Sequence, residues 1–559
     1  MKKHWTKFFI VIMVCAGLLL GAWQTLPPDA PKGLDETPIT LSEASPAPDL
    51  RMMLSHLRAM TGAPRPLSSE ALADAQQYIT DQLTQMGAEY EVHRYELGIK
   101  PGNALSLNNI IVTVKGKNPD EAVLFVAHTD SVSTGPGAFD DMVSVTALLE
   151  AIRALAGQTP ARDIVFVLTD GEELGMWGAM RYVKDHPEMK EKTRLVVNLD
   201  ARGNAGSMML FETSGNNLGL LRAYQRAARH PYGLSLAQPV FRMMQNGTDL
   251  TSFLNAGYPG INLAVLNNAL VYHTPQDNYE TFSRASAQQF LHTAWDLVRH
   301  LGFAEELALD ASKDAVFFPL LPGKLLVMPQ GLANILAYLA AALLLLALAL
   351  MLKRGAAQAR DVLRAMRLQV IALLGAGAGA FVLMKTVMLI LGIQTKGRFF
   401  IVFKGDGLLF ILILVILTAL CGWRYLRAFK NTYSPPSFAL GSLVLPGLLV
   451  FAAVFYVPEG SYLLAIPVLF GLAALGVYQM NQKTAAALVL GLGCLIVMML
   501  YVPAVALVYV ALGANYAPAS TVMAMLAVTL LMGLSFLLMD MPGLGLKKVQ
   551  QHQPAQKDI

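Results

Sequence analysis

The sequence predicts two units of different class, an α/β sandwich around a mixed β-sheet followed by an α-helical transmembrane bundle. Three observations lead there. The 559 residues are 54% hydrophobic and 15% charged, against roughly 25% charged in an average soluble protein. The charges are also divided: residues 1–330 hold 27 Lys/Arg and 34 Asp/Glu, a net of −7, whereas residues 331–540 hold 13 and 4, a net of +9. Within the first part, short apolar runs alternate with helical periodicity, the pattern of strands covered by helices. The overall charge of +4 therefore arises in the hydrophobic part and the tail, which removes the nucleic-acid reading that a net positive chain invites.

In chain order, an apolar run from Phe8 to Trp23 follows Lys2, Lys3 and Lys7 and reads as an uncleaved transmembrane anchor at 1–24. A cleaved signal peptide is the weaker alternative, because no A-x-A site follows Trp23 and Cys15 lacks the small neighbours of a lipidation site. Residues 25–48 contain Pro27, Pro28, Pro31, Pro38, Pro46 and Pro48 and read as a tether, since proline is excluded from helix interiors. The α/β unit occupies 49–310. Helical periodicity marks 49–60, 69–86, 141–156, 176–185, 216–229 and 285–302, and strand-like runs mark 89–96, 107–115, 122–127, 163–169, 194–199, 207–212 and 260–265. A membrane-proximal connector, 311–330, leads into a seven-helix domain at 331–540. Its apolar stretches lie near 331–352, 368–393, 407–423, 438–457, 461–480, 484–512 and 519–539, most of them near the roughly 20 residues needed to cross about 30 Å of hydrocarbon. Residues 541–559 form a cytoplasmic tail.

Loop charge sets the orientation, because Lys and Arg stay on the cytoplasmic side. With the N-terminus inside, the inner loops hold Lys353, Arg354, Arg360, Arg364, Arg367, Arg424, Arg427, Lys430, Lys483, Lys547 and Lys548, while the outer loops keep Lys396, Arg398 and Lys404. The α/β unit then faces away from the cytoplasm, into the periplasm of a bacterium or the vacuolar or endoplasmic-reticulum lumen of a eukaryote. All three cysteines, Cys15, Cys421 and Cys494, fall in apolar spans, so the α/β unit has neither disulfide nor thiol chemistry. Lys385 is the clearest charge within a span and reads as snorkelling to the outer interface.

In open α/β sheets, functional groups gather at the carboxyl ends of the strands. Here AVLFVA runs into His128-Thr129-Asp130, DIVFVLTD into Gly171-Glu172-Glu173, and RLVVNL ends in Asp200; a turn containing Asp140-Asp141 opens a helix, and Tyr272-His273 follows a further apolar run. Each is weak singly. Together they form two histidines and several carboxylates, the ligand chemistry of Zn²⁺, and two such ions a few Å apart need a shared carboxylate. His56, His93, His230 and His292 lack this context and read as structural.

The runs AHTDSVSTGPGAFDD, TDGEELGMWGA, NLD at 198–200, TDLTSFLNAGYPGINLA and YHTPQDN occur in an order that resembles the M28 family of zinc aminopeptidases, and in particular its multi-spanning membrane branch of vacuolar membrane proteases and endoplasmic-reticulum metallopeptidases. The resemblance covers about residues 50–305, and the membrane half is similar to that branch in layout alone. It implies a zinc aminopeptidase-like sandwich with two Zn²⁺ per chain. Asp140 would bridge the ions, Glu173 and His273 would complete one, and His128 and Asp200 the other. It further implies Glu172 as general base, Asp130 as the hydrogen-bond partner of His128, Asp141 as the acidic residue after the bridge, and Tyr272 as a donor to the oxyanion. The substrates would be peptide or protein N-termini met at the bilayer surface, with no nucleic acid as partner. Phe139 and Leu250 depart from the soluble members at positions that hold no inferred ligand.

Other readings are weaker. There is no HExxH helix and no G-x-S-x-G elbow. A glutaminyl cyclase-like enzyme, or a silent peptidase-like receptor or transporter, would not need all five inferred ligands and the base, and all six are present.

Overall fold

The computed structural model describes residues 2–28, 31–100, 103–244, 246–309, 312–394, 398–429 and 434–538. Lys396, Lys430, Lys547, Lys548 and the tail at 541–559 lie outside the described residues.

The soluble unit is built on seven strands: β1 (Tyr90–Lys100), β2 (Asn103–Val114), β3 (Asn118–His128), β4 (Arg162–Thr169), β5 (Thr193–Ala201), β6 (Met209–Thr213) and β7 (Gly260–Val265). Their order is β1-β2-β4-β3-β5-β7-β6. The four inner strands β4, β3, β5 and β7 run parallel, and β1, β2 and β6 join antiparallel. The mixed sheet expected from the sequence is therefore present. Parallel strands are covered on both faces, which is why β3 and β4 read as continuous apolar runs rather than alternating ones.

Before the sheet come α1 (Lys2–Gln24), α2 (Leu50–Met60) and α3 (Glu70–Gln85); among its strands lie α4 (Val143–Ala154), α5 (Trp177–Asp185), α6 (Met189–Lys192), α7 (Leu218–Ala227), α8 (Ala237–Arg242) and α9 (Asp249–Asn255), and α10 (Arg284–Phe303) closes it. The period-2 alternation of β3 splits its side chains: Val123, Phe125 and Ala127 join one core with α2, α3, α4 and α10, and Leu124 and Val126 join another with α5 and α9. Asp49, Ser69 and Ser283 cap α2, α3 and α10, each accepting from a first-turn amide. His56 is buried within the core against the Tyr78 hydroxyl at 2.9 Å, the structural role the sequence predicts for it.

Between 311 and 330 the chain forms a hairpin, β8 (Ala315–Leu321) and β9 (Lys324–Pro329). Its alternation joins the two halves: Ala315 and Phe317 face the soluble core, while Val316 and Phe318 face the bundle, where Phe318 stacks on Tyr462 at 4.4 Å. The bundle comprises α11 (Gln330–Lys353), α12 (Ala359–Ile390), α13 (Asp406–Phe429), α14 (Pro435–Tyr456), α15 (Tyr462–Gln479), α16 (Lys483–Leu512) and α17 (Ala517–Ser535). Among the described residues, seven helices are long and apolar enough to cross a membrane, and this is a membrane protein. α12 begins ahead of its apolar run, and Asp361 in its first turn is buried and accepts from the Ser434 amide at 3.0 Å. α1 packs along α16, where Gly17 permits the approach: a Cβ there would stand 2.6 Å from the Leu495 carbonyl oxygen. Lys385 donates from Nζ to Asn515 Oδ1 at 3.0 Å, which places its ammonium at the end of the bundle facing the soluble unit.

That same end meets the soluble unit throughout. The Ser207 amide donates to Thr25 O at 3.2 Å, Ser235 donates to Glu459 O at 2.6 Å, and Arg242 pairs with Glu459. Arg202 lies with its guanidinium 4.2 Å from the Phe400 ring and Nη1 3.4 Å from Ala511 O.

Candidate active site

The parallel strands bring the expected residues to one edge. His128 ends β3, Glu172 and Glu173 lie in the turn after β4, Asp200 is near the end of β5, and Asp140 sits in the turn that opens α4. His273 arrives from the loop after β7 with a positive φ of 60°. Two overlapping groups result, His128 with Asp140 and Asp200, and Asp140 with Glu173 and His273; in each, one ligand atom per residue lies within 4.8 Å of the others. Asp140 belongs to both. Its Oδ1 is 3.3 Å from His128 Nε2, and its Oδ2 is 3.4 Å from His273 Nε2. One carboxylate thus presents a separate oxygen to each histidine, the arrangement a bridge between two cations requires.

The donor chemistry fits such cations. His273 Nε2 lies 2.9 Å from Glu173 Oε2 yet out of line for a hydrogen bond, and it and Glu173 Oε1 are buried without a hydrogen-bond partner. Burial and the neighbouring Asp140 charge push Asp200 up to about 8. Burial also drives Glu172 well above the ordinary carboxylate range, with Asp200 and Asp249 adding to it against the pull of His128. Asp140 resists its own burial because His128 and His273 flank it, and it falls to about 2. So many desolvated carboxylates around two imidazoles are mutually costly without added positive charge, and divalent ions reverse that balance.

Around these groups stands a support layer. His128 Nδ1 lies 3.1 Å from the Asp130 carbonyl and 3.4 Å from its carboxylate, while that carboxylate accepts the Glu172 and Glu173 amides at 3.1 and 3.2 Å. One buried aspartate therefore fixes both a histidine and the two-glutamate turn. Asp141 turns away from the cluster: it accepts from the His128 amide at 3.2 Å and from the Ser144 hydroxyl. Tyr272 stacks on His273 at 3.7 Å and, with Glu172, lines the adjoining cavity.

Sequence reasoning missed three supports. Asp277 accepts from the amides of Phe139 and Asp140 at 2.9 and 3.0 Å and so holds the Asp140 turn from below. Arg65, fully buried, donates to Thr129 O and Gly137 O at 3.1 Å each and also to Pro136 O. Arg202 joins the cavity wall. Asp277 stands four residues after His273, a spacing that could have marked it; the Arg65 side chain donates to backbone carbonyls, which leave no trace in side-chain types.

A mixed sheet whose parallel strands end in two overlapping histidine-carboxylate groups defines an α/β protein with a candidate two-metal centre. The chain carries a peptidase family M28 domain, matched by the profile "Peptidase family M28" over residues 109–298. Endoplasmic reticulum metallopeptidase 1 of Homo sapiens is 31% identical over 244 residues, 42% of this chain and 27% of that relative. Vacuolar membrane protease of Saccharomyces cerevisiae is 36% identical over 194 residues, 34% of this chain and 20% of the relative. The chain thus aligns with about a quarter of the length of these relatives. Among solved structures, a zinc aminopeptidase from Bacillus subtilis is 18% identical with a TM-score of 0.39, covering 48% of this chain and 98% of that one.

Proposed function

We infer that this protein is a membrane-anchored aminopeptidase that uses two zinc ions and acts on the extracytoplasmic side. The observation that carries the reading is Asp140, whose two carboxylate oxygens each face a different histidine. The ligands would be His128 and Asp200 for one ion, Glu173 and His273 for the other, with Asp140 shared. Zinc bound there supplies the positive charge that acidifies a water and polarises the scissile carbonyl. Glu172 takes the water's proton and returns it to the leaving amine, from a place in the cavity wall outside both donor groups. Burial disfavours ionisation of the Tyr272 hydroxyl, so it can donate to the carbonyl oxygen as negative charge builds. The cavity beside these groups measures about 330 Å³, at the small end of ligand pockets, which favours one terminal residue and its α-amine over an extended stretch of chain.

Chelation followed by zinc return tests the metal requirement. Trimming of an unblocked peptide should vanish on dialysis against a strong chelator and reappear with zinc; full activity in verified metal-free protein would refute it.

Orientation is supported by charge. Lys353, Arg354, Arg360, Arg364, Arg367, Arg424, Arg427 and Lys483 lie at the helix ends remote from the soluble unit, whereas the segment meeting that unit near Phe400 carries Arg398 and Lys404. With the native cysteines replaced by alanine, Asp81→Cys should react with an impermeant thiol reagent in bacterial spheroplasts or right-side-out vesicles, and Arg360→Cys should react only after permeabilisation. The reverse pattern would invert the topology.

A further inference from the structure

The cavity beside the catalytic groups does not belong to the soluble unit alone. Met209 and Phe211 of β6 and Val240 and Phe241 of α8 supply part of its wall, and Leu507 and Ala511 of the membrane helix α16 supply more. Leu507 and Ala511 are four residues apart and so share one helix face. Both are buried, and they belong to the same apolar cluster as Met209, Phe211 and Val240, so the wall is continuous from sheet to bundle. At its edge Arg202 links the strand end that bears Asp200 to the end of α16, through Nη1 at 3.4 Å from both Ala511 O and Met244 Sδ. The Phe400 ring, from the loop between α12 and α13, covers the guanidinium at 4.2 Å. The bundle therefore contributes atoms to a pocket that also contains Glu172, Glu173 and His273.

We propose that α16 is a specificity element of the peptidase: Leu507 and Ala511 form the wall against which the first side chain of the substrate packs, and they select a large apolar residue there. This rests on the aminopeptidase reading. Arg202 stands at the edge of the cavity and Asn246 and Thr248 line another part of it, whereas Met209, Phe211, Val240 and Phe241 continue the wall of Leu507 and Ala511 in aliphatic and aromatic groups, so a neutral polar side chain packed against that wall would lose its hydration without gaining a partner there. An apolar one gains with each methylene buried. The wall lies at the end of α16 that meets the soluble unit, so the membrane part acts as more than an anchor: selection of the substrate depends on it.

The test uses the full chain in detergent and four unblocked peptides that differ only in the first residue, Leu, Ala, Phe or Trp, digested in competition. Wild type should prefer the Leu-first peptide over the Ala-first one. Ala511→Phe fills the pocket and should lower the Leu-to-Ala ratio of kcat/KM by about 10-fold or more. Leu507→Ala enlarges the pocket without a clash and should shift preference from Leu-first toward Phe- or Trp-first peptides. Zinc content of each preparation reports on the integrity of the site, and if Ala511→Phe fails to fold, Leu507→Ala decides. A wild type with no Leu preference, or unchanged ratios in the folded variants, overturns the proposal. A wild type that shortens none of the peptides defeats the aminopeptidase reading itself, a result distinct from an active enzyme with unaltered preference.

Discussion

Asp140→Ala is expected to strip the centre of both ions and with them its activity. The side chain is the only one common to the two donor groups, with one oxygen 3.3 Å from His128 Nε2 and the other 3.4 Å from His273 Nε2. With two ions held as proposed, removing it would leave each a ligand short and their mutual repulsion unscreened. Losing a mere outer partner of a metal ligand costs about 10- to 100-fold in affinity, so loss of the shared ligand should exceed the upper end of that range. The turn itself should survive, because Asp277 holds it through the Phe139 and Asp140 amides, bonds that do not involve the Asp140 side chain. Elemental analysis after gel filtration reads the outcome: about two zinc equivalents in wild type and a loss at both sites in the variant. Two retained equivalents would remove Asp140 from the bridging role.

Glu172→Gln should have the opposite signature, a large loss of rate with the metal kept. Glu172 is absent from both donor groups and lines the cavity beside them. Its backbone amide is held by Asp130, so an isosteric amide should preserve the turn that carries Glu173. On the proposed mechanism, what disappears is the carboxylate that would accept the water's proton, and general acid-base action of this kind is worth about 10²- to 10⁴-fold. A kcat reduced by that factor at unchanged zinc content fits the shuttle. A wild-type rate in the variant would require another base.

The strands and the chemistry at their ends were legible in the sequence because both are local signals. β3 and β4 announce themselves as apolar runs, and each ends in its acidic or imidazole group, so sheet order was not needed to list the groups. Their grouping was not local. That Asp140 faces two histidines follows from the order of the parallel strands, which brings the loop after β7 to the edge where β3 ends, and the resemblance, not spacing, anticipated it. Arg65 and Asp277 escaped notice because they act on backbone carbonyls and amides, which every residue possesses. The hairpin at 315–329 was hidden for a different reason. Both of its faces are buried, one in the soluble core and one in the bundle, so β8 shows no polar alternation to mark it as a strand. The contribution of α16 to the cavity is hidden in the same way, since Leu507 and Ala511 are ordinary residues of an apolar helix until the fold sets them beside β6 and α8.

The most direct measurement of the central claim follows product masses over time when the detergent-purified chain digests a peptide with a free α-amine beside its N-acetylated twin. The account predicts that the unblocked peptide shortens one residue at a time from its N-terminus while the acetylated one stays intact. Rapid internal cleavage of the acetylated peptide would contradict it.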